Sequence, residues 1–186
     1  FLCFSVVGSA VRPYSVPAFD VRITMGSSDA SARGPVRDYG RSVDFTKGLT
    51  TVHWADKRGV FERRLFVSRA DGVVVLQIVG EKPGSVDCTL ALGPRRPSTD
   101  LPGDQAERSN QRMKAHLQEV KTTADERTLT FRNTFAEAYP GSIHALEGVA
   151  DVVPRGGRAT ARDGTMTVTG ADEVTVRIAV DVLYEA

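Results

Sequence analysis

The chain has 186 residues, 41% of them hydrophobic, which is enough to build one domain of substantial core. Its 24 basic residues are matched by 23 acidic ones for a net charge of +1, a scattered balance that excludes nucleic-acid binding through a basic surface. No apolar run approaches the ~20 residues of a membrane-spanning helix.

In chain order, the opening FLCFSVVGSA (1–10) reads either as a short first strand or as the remnant of a signal peptide, an apolar stretch ending in small residues. With no initiator Met and an abrupt end just after RIAVDVLYEA, the sequence reads as a piece of a longer protein. From Phe19 onward, period-2 alternation dominates. Phe19, Val21, Ile23 and Met25 point one way, and Asp20, Arg22 and Thr24 the other, as in a half-buried antiparallel strand. Val43 and Phe45, Val52 and Trp54, and Leu65 and Val67 continue the theme. Turn signals separate these runs at TKG (46–48), DKRG (56–59), ADG (70–72) and KPG (82–84). Residues 41–92 therefore read as a meander of about five strands.

One of these strands, Val73 to Val79, is apolar on both faces. Such a strand belongs in the centre of a sheet, with one face in a core and the other under a second layer. That layer is expected either from a neighbouring domain or from residues 98–143. Segment 98–126 is polar and rich in helix formers; Asp104 is placed to cap a short helix within 104–119, and the alternative is a loop followed by a strand over 116–122. About four more strands follow over 144–183, with the Asp-Gly of RDGT (162–165) as a hairpin signal. The fold class is all-β: a large two-sheet antiparallel sandwich forming a single domain.

Residues with chemical potential are few and isolated. Cys3 and Cys88 make no metal or redox motif, and Cys88, alternating with Leu90 and Leu92, reads as a buried thiol. His53, His116 and His144 lie far apart with no ligand spacing. Trp54, Tyr14, Tyr39, Tyr139 and Tyr184 are the candidates for stacking on sugar rings, with core or interface packing the favoured role. RGGR (155–158) reads as a tight turn and not as a nucleic-acid motif. No pair among the acidic residues stands out as a general acid and base. No catalytic, cofactor-binding or metal-binding residue is assigned, and no cofactor is expected.

Several segments taken together resemble the N-terminal β-sandwich of glycoside hydrolase family 95, the α-L-fucosidase family. AFDVRITM resembles its first strand pattern. DYGRSVDFTKG resembles its Tyr-x-Arg segment through Tyr39, Arg41, Val43, Asp44 and Phe45. TVHW resembles a Val-x-Tyr strand with Trp54 in place of Tyr. ERRLFVSRADGVVVLQIVGEKPG is the closest stretch, through Arg64, Phe66, Ser68, Asp71, Val73, Val75, Leu76, Pro83 and Gly84, and Ala171-Asp172-Glu173 lies in a segment like the one that closes the domain. The family's Gly-Asn-Gly-x-x-Gly-Ala segment is absent.

The resemblance implies a galactose-mutarotase-like supersandwich packed against an (α/α)6 barrel. That barrel, C-terminal in the same polypeptide, is the implied partner. It would carry the carboxylates that hydrolyse α-L-fucosides or related galactosides with inversion, while the sandwich supports it and shapes the rim of its site. Carbohydrate is the other partner the resemblance admits; nucleic acid and membrane are not expected, and the oligomeric state is left open. The family's habits favour a secreted or periplasmic protein. Two other readings compete: a free-standing carbohydrate-binding or adhesive sandwich, and a stand-alone mutarotase-like enzyme, which would need a His and a carboxylate converging on one concave face.

Overall fold

The computed structural model describes residues 2–7, 15–26, 34–94, 103–105, 107–108, 111, 117–136 and 142–184. The strands among them are β1 (Leu2–Val7), β2 (Ser15–Met25), β3 (Arg37–Asp44), β4 (Leu49–Asp56), β5 (Gly59–Ser68), β6 (Val73–Gly80), β7 (Val86–Gly93), β8 (Leu117–Ala124), β9 (Thr128–Phe135), β10 (Ile143–Arg155), β11 (Arg158–Arg162), β12 (Thr165–Ala171) and β13 (Glu173–Tyr184). They form a five-stranded sheet in the order β1-β2-β7-β12-β11 and an eight-stranded sheet in the order β3-β4-β5-β6-β13-β10-β9-β8. The strand pairs are antiparallel, and the inner faces of the two sheets share one core, so the molecule is the expected two-sheet sandwich.

The meander is real but shorter than the sequence suggests. β3 to β6 run back and forth in the large sheet, and at the KPG turn the chain leaves that sheet and enters the small one as β7. Phe45, expected to extend a strand, lies in the β3–β4 turn and is almost fully exposed. The four strands expected near the end are β10 to β13. Of these, β10 and β13 belong to the large sheet and β11 and β12 to the small one. The hairpin joining β11 and β12 turns at Asp163 (φ 48°) and Gly164 (φ 70°), the paired positive φ values that a two-residue Asp-Gly turn supplies.

The chain crosses between sheets after β2, β6, β7, β10 and β12, and Asp172 ties together the crossings after β6, β10 and β12. Its N–H donates to the Arg155 carbonyl (2.8 Å) and its carbonyl accepts from the Gly80 N–H (3.1 Å). Its carboxylate accepts from the Gly84 N–H (2.7 Å). RGGR forms the β10–β11 corner. There a Cβ on Gly157, besides meeting a φ of +61°, would lie 2.2 Å from the Thr169 carbonyl oxygen, so only glycine fits.

The core consists of the inward rows of both sheets. Phe19 and Val21, then Val86, Cys88, Leu90 and Leu92, then Met166 and Val168 come from the small sheet; Leu76 and Ile78, Leu129 and Phe131, and Val174, Val176 and Ile178 come from the large one. One close meeting of the sheets lies between β2 and β10. The Phe19 ring packs against Phe131, with centroids 5.2 Å apart, and lies over Gly148, which is cross-strand from Phe131. A Cβ on Gly148 would fall 2.3 Å from Phe19 Cε1.

β6 is the fourth strand of eight, the central position its two apolar faces predict. Leu76 and Ile78 are fully buried and Val74 packs against them. The other row, Val73, Val75 and Val79, is only half-buried. This outer row carries Gln77, is flanked by long polar side chains of β5 and β13, and is not fully covered by the described residues, so the expected second layer does not come from the described part of 98–143. Within 98–143 the described residues are helical at 103–105, 107–108 and 111. The helix does not extend to 119, because Leu117 begins β8, and β8 and β9 lengthen the large sheet instead of covering it.

Two substitutions test this packing. Leu76→Ala should lower unfolding free energy by ~2–5 kcal/mol, the range for emptying a fully buried leucine site. Gly148→Ala, conservative by chemistry, should cost ~1–3 kcal/mol because the new methyl must displace a core ring. Denaturant titrations check both; a neutral Gly148→Ala would show that the sheets are not in contact there.

Candidate functional site

Among the described residues, those singled out in the sequence do not converge. Cys88 is buried, and burial, with a smaller push from Asp87, raises its thiol to about 12, so it is no nucleophile. Cys3 pairs with Asp20 on one side of β2, and Cys88 with Met25 on the other. His53 is exposed on β4, facing away from Trp54, with its ring over Gly40. His144 is half-buried on β10, on the opposite half of the large sheet. Tyr39 and Tyr184 are exposed, on β3 and at the end of β13. His116, Tyr14 and Tyr139 lie outside the described residues.

Trp54 is a core residue and not a sugar platform. It is 8% exposed and stacks on Phe61 at 5.4 Å, and the Arg58 guanidinium covers the Phe61 ring at 4.6 Å. Asp56, also buried, holds Arg58 by an Nε–Oδ1 bond of 3.1 Å and by its backbone N–H at 2.8 Å. These groups close the β4–β5 hairpin, with Arg58 Nη1 left buried without a hydrogen-bond partner.

The outer face of the large sheet carries the densest polar arrangement. Glu173 accepts from Gln77 (2.6 Å), Thr175 (3.2 Å) and Arg155 (3.1 Å). Asp151 receives Arg177 (Nε–Oδ2 3.0 Å) and Arg127 (Nη2–Oδ2 3.1 Å). Arg132 pairs with Glu147 and Arg64 with Glu62. Arg155, the first residue of RGGR, is therefore engaged within the domain. Each carboxylate faces a cation or amide, the opposite of a general acid, whose pKa must be raised. Gln77 was the visible sign of this lattice: an amide within an apolar run marks the row that stays partly wet. The corner role of Asp172 had no comparable signal, since it depends on three segments far apart in sequence.

The hydrogen bond from Gln77 holds Glu173 below the usual carboxylate range, aided by Thr175 and Arg155, and that from Arg127 does the same for Asp151, aided by Arg177. No group of three His, Cys, Asp or Glu side chains among the described residues could hold a metal ion. No described helix is long and apolar enough to cross a membrane. Because both carboxylates titrate lower when folded, their contribution is complete above their ordinary values and is lost as pH falls through the depressed ones. Stability should therefore decline on acidification below about pH 4, and Asp151→Asn should blunt the decline. Urea midpoints measured against pH check this; midpoints that hold or rise on acidification would contradict it.

Comparison with known proteins supplies what the geometry lacks. Residues 9–186 match the family model described as glycosyl hydrolase family 65, N-terminal domain. A solved structure called "Putative kojibiose phosphorylase from human microbiome" superposes with a TM-score of 0.56 at 11% identity, covering 91% of this chain and 23% of that one. At this identity the likeness is one of fold. Among curated proteins there is no match. Family 95 and its fucosidase specificity find no support in these matches; the broader expectation, an N-terminal sandwich of a glycoside hydrolase, agrees with them. With nearly the whole chain matched, the protein belongs to the glycosyl hydrolase family 65 N-terminal domain family.

Proposed function

We propose that this chain is the non-catalytic sandwich of a longer carbohydrate-active enzyme and supports a separate (α/α)6 catalytic barrel, C-terminal in the same polypeptide. The match of residues 9–186 to an N-terminal domain carries the reading. The absence of a converging acid–base pair among the described side chains agrees with it. Glycosidic bond cleavage with inversion needs two carboxyl groups about 6.5–9.5 Å apart, one kept protonated. The outer-face carboxylates Asp151 and Glu173 have the reverse electrostatics, and Asp56 is committed to Arg58.

Two substrate classes follow from different observations. The strand motifs shared with α-L-fucosidases point to α-L-fucosides or related galactosides. The name of the structural neighbour points to kojibiose cleaved with phosphate. The family match favours the second. A secreted or periplasmic location remains part of this reading, although Leu2–Val7, the stretch that could have been a signal remnant, is a strand paired with β2.

The residue 1–186 chain should turn over neither an aryl α-L-fucoside nor kojibiose with phosphate, whereas the full-length polypeptide should cleave one of them. Turnover by the isolated chain that disappears on substituting one of its own carboxylates would place the chemistry in the sandwich and overturn the proposal.

A further inference from the structure

We infer that the rest of the same polypeptide docks on one patch of the large sheet's outer face, formed by Phe66, Val73, Val75, Ala179 and Val149. The inference rests on the proposed function and adds the surface. These residues lie on four adjacent strands, β5, β6, β13 and β10. Phe66 is directly across from Val75 and Val149 from Ala179, and Val73 precedes, as Ala179 follows, the inward-facing pair Val74 and Ile178 of two antiparallel strands. Phe66 remains 39% exposed and Val149 44% exposed. The patch is therefore contiguous and incompletely covered.

Its border says what kind of surface fits. Arg177 and Arg127 are held by Asp151, and Arg132 by Glu147. A charged occupant would have to break these pairs, whereas an apolar one leaves them as a polar rim around a dry centre. Among the described residues, the outer face of the small sheet offers no such centre. On the small sheet, Thr24, Thr89, Thr167 and Thr160 stand in one cross-strand row, a surface that water satisfies. The family description assigns the chain to the N-terminal part of a longer protein, and the neighbour's chain extends far beyond the matched 23%. Polypeptide of the same molecule is thus the occupant to which the patch is assigned.

Thiol labelling tests the inference. Val149→Cys, with Ala179→Cys as a second probe, is introduced into the 1–186 chain and into the full-length polypeptide, and maleimide labelling is counted against each unsubstituted protein. Thr160→Cys reports the opposite face. The expected result is labelling at position 149 slowed at least about tenfold in the full-length protein, as a water-excluding contact requires, with position 160 equally fast in both. Equal rates at position 149 overturn the inference. So does protection at position 160 instead, or protection already present in the 1–186 chain. In the last case, growth with concentration would identify a second copy as the occupant, and independence of concentration a segment of residues 1–186. If the full-length protein cleaves neither sugar yet position 149 is protected, the proposed activity fails and the docking surface stands.

Discussion

The architecture depends on one close approach. The Phe19 ring, carried by the small sheet, rests on the bare backbone of Gly148 in the large sheet and against Phe131 beside it. A side chain at 148 would hold the sheets apart at that point, and a smaller residue at 19 would leave a void between them. The contact marks which side of β10 is the inside. Period-2 alternation then assigns the inward row of every strand in the sheet, including Leu76 and Ile78 of β6, and turns Val73, Val75 and Val149 outward.

Local features were legible in the sequence because local physics decides them. The alternation of Phe19 to Met25, the Asp-Gly hairpin at 163–164 and the Gly-Gly corner at 156–157 are each set by residues a few positions apart. The central place of β6 could be read from its two apolar faces. The partition into sheets could not. β6 pairs with β13, nearly a hundred residues later, and no local pattern specifies that a strand following the KPG turn crosses to the other sheet. Segment 104–119 was ambiguous because helix-forming residues led into a strand whose exposed face is equally polar, as Gln118, Glu119 and Lys121 show.

No candidate site was legible in the sequence. Isolated histidines, a buried thiol and scattered acids singled out no set of residues, and among the described residues Cys88 lies in the core, His53 and His144 lie on separate halves of a sheet, and Glu173 and Asp151 are paired. The family resemblance was sound at the level of a hydrolase N-terminal sandwich and missed the family itself. Strand motifs such as that around Leu76 report core packing and turn geometry. The features that separate substrates would sit in a catalytic domain and leave no trace in these positions.

The well-packed interior and the incompletely covered apolar patch of the described residues suit the proposed supporting role, in which the domain stabilises the fold of what docks against it. Complementation measures this most directly. The full-length polypeptide is expressed without residues 1–186, and its solubility, cooperative unfolding and sugar-cleaving activity are compared with and without the 1–186 chain supplied separately. The account predicts a remainder that folds poorly and regains activity when the sandwich is added. A remainder that is fully folded and active by itself would contradict it.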